Sequence, residues 1–212
     1  LRRFLLMRFP FILLGFLGLS NLHGQKEIKK ALLDSDIEFI QINADFCYQI
    51  TLQTAKTDEV YVAAQMEGEY AKDLLLTLEE KGATMLIGTG FHPNFTNPND
   101  KLSAHKVISI ALEIVVPAHR NVSLYGTSSN VDVLGDYEKL EVKLANGTCT
   151  LDNVTQFVDV KTQKGDIMVW ASQGNFQAES TYGQVVKEEI PIGSNQYILS
   201  SVEGTIQLKK TK

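Results

Sequence analysis

The second half of this chain alternates apolar and polar residues with a period of two, and the alternation breaks at evenly spaced corners. Anchored on Ser129, Gly147, Gly165, Gly183 and Gly204, the corners fall at intervals of 18, 18, 18 and 21 residues. Seven positions before the anchors stand Val122, Leu140, Val158, Phe176 and Tyr197, and five before stand Leu124, Val142, Val160, Ala178 and Leu199. Two positions after the anchors stand Val131, Cys149, Ile167, Val185 and Ile206, and four after stand Val133, Leu151, Val169, Lys187 and Leu208. Only Lys187 departs from these apolar columns. Spacing by two on each side of a corner means strand, turn, strand, with alternate side chains on one face. Small residues dominate three positions before the anchors, as a crowded corner requires: Gly126, Thr162, Ser180 and Ser201, with Leu144 the exception.

A unit this short cannot bury its own apolar face, so successive units must pair. The residues thus predict an all-β protein whose C-terminal half is a parallel β-solenoid of about five 18-residue coils. Lys187 to Asn195, with Pro191 and Gly193, reads as a loop bulging from the fourth coil. An antiparallel sandwich also has regular turns, but it gives no reason for the same columns to recur at a fixed register.

Residues 25–120 are strand-rich without that register and read as an irregular β cap before the solenoid of residues 121–212. Ile37–Ile42, Phe46–Leu52, Val60–Ala64 and Met85–Ile87 are short apolar runs, and Leu74–Leu78 could be strand or helix. Ile108, Ile110, Leu112, Ile114 and Val116 alternate strictly up to Pro117. Gly88 to His105, dense in Gly, Pro, Asn and Asp, reads as a long surface loop in which Phe91 and Phe95 are candidate contact residues.

Residues 1–24 are different material. Arg2, Arg3 and Arg8 precede the apolar run Phe9–Leu19, and small and polar residues follow up to Gly24. This order predicts a secretory signal peptide and a mature chain starting near Gln25, the alternative being an uncleaved anchor. The expected location is therefore outside the cytoplasm: periplasm, outer surface or secreted. The apolar run Phe9–Leu19 is too short for an ordinary membrane span, and no second long apolar stretch occurs. Taking those three arginines from the 20 basic side chains leaves 17 against 25 acidic ones. A chain of that charge repels phosphate backbones, so nucleic acid is not an expected partner.

Chemistry-bearing motifs are missing. No HExxH, CxxC, GxSxG, P-loop or GxGxxG occurs, and His92, His105 and His119 share no metal-ligand spacing. Asp132, Asp152 and Asp166 fall near corners, where aspartate is an ordinary turn residue. The outward columns put Glu141 with Asp159 and Lys143 with Lys161, without a convergent catalytic set, and Arg120 is the one arginine beyond residue 24. Asn94, Asn121, Asn146 and Asn153 each begin an Asn-x-Ser/Thr triplet, which turns also favour. Strand alternation turns Cys149 inward and Cys47 outward, which argues against a disulfide between them. No catalytic, cofactor-binding or metal site is assigned, and no cofactor is expected. Met168, Trp170 and Val186 are expected to face outward as a modest apolar patch, unless Trp170 packs beneath the loop from Lys187.

The leader, the Ile37–Gln41 strand, Glu113–Pro117 with Val122–Leu124, and then Leu140–Leu151, Val158–Val169 and Phe176–Val185 together resemble the bacterial putative adhesin families. These are the head-domain family of putative auto-transporter adhesins and its sister family of putative adhesins of unknown function. The resemblance implies a right-handed β-helix exported by a Gram-negative bacterium, without catalytic residues. Its partner would be a protein or glycan at the cell surface or in the envelope. Two other classes stay open: a carbohydrate-active enzyme on a β-helix, and a structural or regulatory envelope protein that binds another protein.

Overall fold

The computed structural model describes residues 25–96 and 108–211, so the signal-peptide reading and His105 lie outside the described residues. Fifteen strands form, with a single 3₁₀ turn at Ala71–Asp73 and no α-helix among the described residues. The first part supplies β1 (Gln25–Leu32), β2 (Phe39–Asn43), β3 (Cys47–Ala55), β4 (Glu59–Gly68), β5 (Leu74–Lys81), β6 (Thr84–Phe91) and β7 (Ile108–Pro117). The second supplies β8 (Asn121–Ser128), β9 (Asn130–Asn146), β10 (Thr148–Thr162), β11 (Asp166–Ala171), β12 (Asn175–Ser180), β13 (Val185–Lys187), β14 (Gln196–Ser201) and β15 (Ile206–Lys210). The leucine-rich run at 74–78 is therefore strand, and the glycines of the expected long loop open it as the end of β6.

All fifteen strands join one mixed sheet, which curls into a nearly closed, barrel-like body. One run of neighbours is β1-β4-β7-β3-β9-β10-β11-β15-β13. A second runs β5-β6-β2-β8 and continues through the other halves of β9 and β10 to β14 and β12. The two long strands connect the runs by bending, at Gly135 (φ 113°) in β9 and at Asn153 (φ 49°) and Gln156 (φ 72°) in β10. The ladder between β9 and β10 is irregular at that bend, as bulged strands are.

This corrects the expected architecture. The ladders among β8–β15 are parallel, but they do not form a separate right-handed parallel β-helix behind a cap. β1–β4, β4–β7 and β5–β6 pair antiparallel, and all of these ladders belong to one nearly closed mixed sheet. Strands of the first part also continue the same sheet, with Ile40 beside Val122 and Ile50 beside Val131. Alternation with period two marks which side of a strand is dry, and it does so equally for parallel and antiparallel neighbours.

The last units also depart from sequence order. Val158 pairs with Tyr197 and Ile167 with Ile206, so β14 and β15 lie between β10–β11 and the outermost β12 and β13. Composition explains the exchange. The last unit carries Tyr197, Leu199, Ile206 and Leu208, all buried, and takes the covered place. The fourth carries Ala178 and Lys187, and an unpaired ammonium in the core would cost several kcal/mol. At the sheet edge Lys187 stays in solvent, its Nζ 5.9 Å from the Phe176 ring centre. Residues 188–195 hold no strand and fold back, Gly174 N–H donating to Pro191 O and Asn175 N–H to Asn195 O.

The other sixteen of the twenty column positions are buried. The corners close through hydroxyls. Thr162 and Ser201 share a hydrogen bond of 2.9 Å, and both lie against Gly165 O, at 2.6 and 3.2 Å.

Candidate functional site

Outward positions on the parallel ladder make rows that run across the strands. Asn43 of β2, Tyr125 of β8, Lys143 of β9 and Lys161 of β10 are register partners in turn, about 4.8 Å apart per strand. Two residues further along each strand or turn come Asp45, Thr127, Ala145 and Gln163. Because Thr127 and Ala145 are small, the two rows bound a groove of about 520 Å³, with Gly126, Leu144 and Thr162 between them. Gln41 completes one end.

The groove's cations are already balanced. Lys143 forms an ion pair with Glu141, and Lys161 pairs with Asp159 at 2.9 Å. The hydrogen bond from Lys143 holds the Glu141 carboxyl below the usual carboxylate range, and the same bond raises the Lys143 ammonium. Lys143 Nζ also stands 5.4 Å from the Tyr125 ring centre. The wall is thus a strip of paired donors and acceptors flanked by an aromatic ring.

On the far side of Asp45 and Thr127 lies a second hollow of about 370 Å³, lined by the same two residues with Phe46, Cys47, Tyr48, Ile108 and Ser128. The turn from β2 to β3 builds it. Asp45 N–H donates to Asn43 Oδ1 at 3.1 Å and Cys47 N–H to Ala44 O at 3.1 Å. Between them Phe46 takes a left-handed backbone, φ 65°. A bulky residue seldom adopts that conformation. Phe46 is 49% exposed, its ring meets Phe91 edge-on at 5.6 Å, and Tyr48 is 52% exposed.

A hollow of about 600 Å³ lies elsewhere, near Asp58, His119, Arg120 and Asp136. Its charged groups are partly committed to the fold: Arg120 donates to Ile37 O at 3.0 Å, and Asp136 accepts from Thr155 at 2.7 Å.

The residues singled out in the sequence fall as follows. Phe91 and Phe95 stack at 4.2 Å beside Tyr70 and are half-buried. Asp132 accepts from Gln49, Asp152 from Asn153 and Asp166 from the Thr205 N–H, so they stand apart in structural roles. No cluster of three metal-ligating side chains occurs among the described residues. Asn121, Asn146 and Asn153 hydrogen-bond within the fold. Met168 and Trp170 are half-buried and Val186 is exposed, but Gln207 lies between Met168 and Val186, and Lys209 covers the Trp170 ring at 4.9 Å. They make no continuous patch.

Cys47 is buried, against the expected outward placement, because a register shift between Cys47 and Gln49 resets the alternation of β3. It and Cys149 are free, and burial pushes their thiols up to about 11 and about 12. Tyr125, Phe46 and Tyr48 were not singled out from the sequence. The 18-residue register does contain the first: Tyr125, Lys143 and Lys161 stand four before their anchors, and Thr127, Ala145 and Gln163 two before.

Comparison with solved structures places this architecture. A putative cell adhesion protein from Clostridium sporogenes superposes with a TM-score of 0.62 and 16% identity, over 89% of this chain and 100% of that one. The two share a fold. A putative adhesin from Bacteroides fragilis covers 88% of this chain and 97% of its own at 12% identity, with a TM-score of 0.35. A putative lipid binding protein from Parabacteroides distasonis covers 88% and 97% at 15% identity, with a TM-score of 0.27. No family model matches the sequence. No curated protein matches it. No helix among the described residues is long and apolar enough to cross a membrane.

Proposed function

We propose that this chain is an exported, non-catalytic binding module of the adhesin kind, which engages a component of the cell surface or envelope through the groove beside Tyr125, Lys143 and Lys161. The observation that carries the reading is the groove itself: a concave strip crossing four strands, with its lysines paired and exposed aromatic residues beside one end. Such a surface offers many weak directional contacts and no activated group. Glu141 is held ionised by its lysine, the opposite of what a general acid needs. The fold shared with the Clostridium sporogenes protein, whose name describes cell adhesion, supports the same reading. So does the leader-like order of residues 1–24.

Immobilised protein incubated with bacterial envelope fragments tests it. Saturable retention, competed by free protein and without release of new reducing ends from envelope polysaccharide, is the expected result. Release of reducing ends that follows the protein's concentration would replace the binding module with the carbohydrate-active enzyme.

A further inference from the structure

The groove and the aromatic hollow are neighbours that share Asp45 and Thr127 as lining. We propose that the groove holds a neutral, linear oligosaccharide across the strands, whose terminal sugar ring passes over Asp45 and Thr127 to rest against Phe46 and Tyr48. The proposal rests on the binding-module reading and names the ligand class of that site.

Three independent features carry it. The first is repetition: an outer side chain from each successive strand meets the ligand at the same height, as a polymer of identical units requires. The second is charge. Lys143 and Lys161 are neutralised by Glu141 and Asp159, and Asp45 adds a negative group, so the groove has no surplus of cations for a polyanion. Ammonium, carboxylate, amide and hydroxyl groups together can donate to and accept from sugar hydroxyls in both directions. The third is Phe46. Its left-handed backbone is a strained choice that leaves the residue half in solvent beside the groove, and strain of this kind collects at ligand sites. An aromatic face there suits the C–H face of a pyranose, while Tyr48 adds a polar rim.

The test uses the purified protein and hexasaccharides of β-1,4-glucose, α-1,4-glucose, β-1,4-mannose, β-1,4-xylose and β-1,4-N-acetylglucosamine, with polygalacturonate and heparin alongside. At least one neutral hexamer is expected to bind, its dissociation constant unchanged when salt is raised severalfold, and the matching disaccharide to bind more weakly. Phe46→Gly keeps the backbone conformation that glycine prefers, so it should stay folded and weaken binding by about tenfold through loss of one aromatic contact. Tyr125→Ala should weaken it comparably. Binding confined to heparin or polygalacturonate and lost in salt would overturn the proposal. Neutral-glycan binding that both variants leave unchanged would overturn the site. Retention of an envelope protein with no glycan bound would overturn the ligand class and leave the binding-module reading standing, whereas no retention of any kind would remove both.

Discussion

The Ser129 hydroxyl donates a 2.6 Å hydrogen bond to the carbonyl of Cys47, 82 residues earlier in the chain. The bond is buried, and it ties the turn that carries Phe46 to the corner between β8 and β9. Ser129→Ala leaves that carbonyl without its donor and should cost about 1–3 kcal/mol. Urea denaturation measures it, and an unchanged midpoint would show that the corner does not depend on the bond.

Glycine at the corners separates two effects. Gly147 has φ 101°, and a Cβ there would stand 2.1 Å from Ser129 O. Gly82 also has a positive φ, 59°, but open space around its missing Cβ. Gly82→Ala should therefore cost only the backbone strain, about 1–2 kcal/mol, and Gly147→Ala clearly more, since backbone must move. Equal losses in the two unfolding curves would contradict the close packing of the corners.

Neighbouring residues of β10 should respond oppositely to the same change. Val160 is fully buried, and Val160→Asp should unfold the protein, because an unpaired carboxylate there costs several kcal/mol. Lys161 is exposed, and Lys161→Asp should cost little beyond its pair with Asp159. Similar circular dichroism melts for both would refute the assigned faces.

Alkaline pH should weaken the fold. Burial raises Cys47 from 9.0 to about 11, Cys149 from 9.0 to about 12 and Tyr197 from 10.0 to about 12. Folded values above the unfolded ones mean stability that is full below pH 9 and lost as pH rises towards about 11 and then about 12. Urea midpoints should fall across that window, and both thiols should resist a thiol reagent until the protein unfolds. A flat pH profile would show that these groups stay solvated.

What the sequence could convey follows from what its periodicity measures. The columns through Val131, Cys149 and Ile167, and through Leu140 and Val158, do lie side by side at the 18-residue spacing. Alternation identified their dry faces, because a β-strand's side chains can only alternate. It could not identify the neighbour of Tyr197, because exchanging two units keeps each inward face and changes only the edge. The misfit of Lys187 in an otherwise apolar column was the available hint that its unit lies outermost. Cys47 was misplaced because a register shift is a backbone event without a periodic signature. The groove was half legible: its lysines and carboxylates stood in the outward columns, but the hollow beyond them depends on the Phe46 turn, a local conformation.

Filling the groove tests the account most directly. Ala145 lines it in the row with Thr127 and Gln163, half-buried and small, so Ala145→Arg places a long side chain across the groove while sparing the core columns. Retention on envelope fragments should then be lost while the melting temperature stays close to that of the unaltered protein. Full retention by a folded Ala145→Arg protein would contradict the assignment of this groove as the binding site.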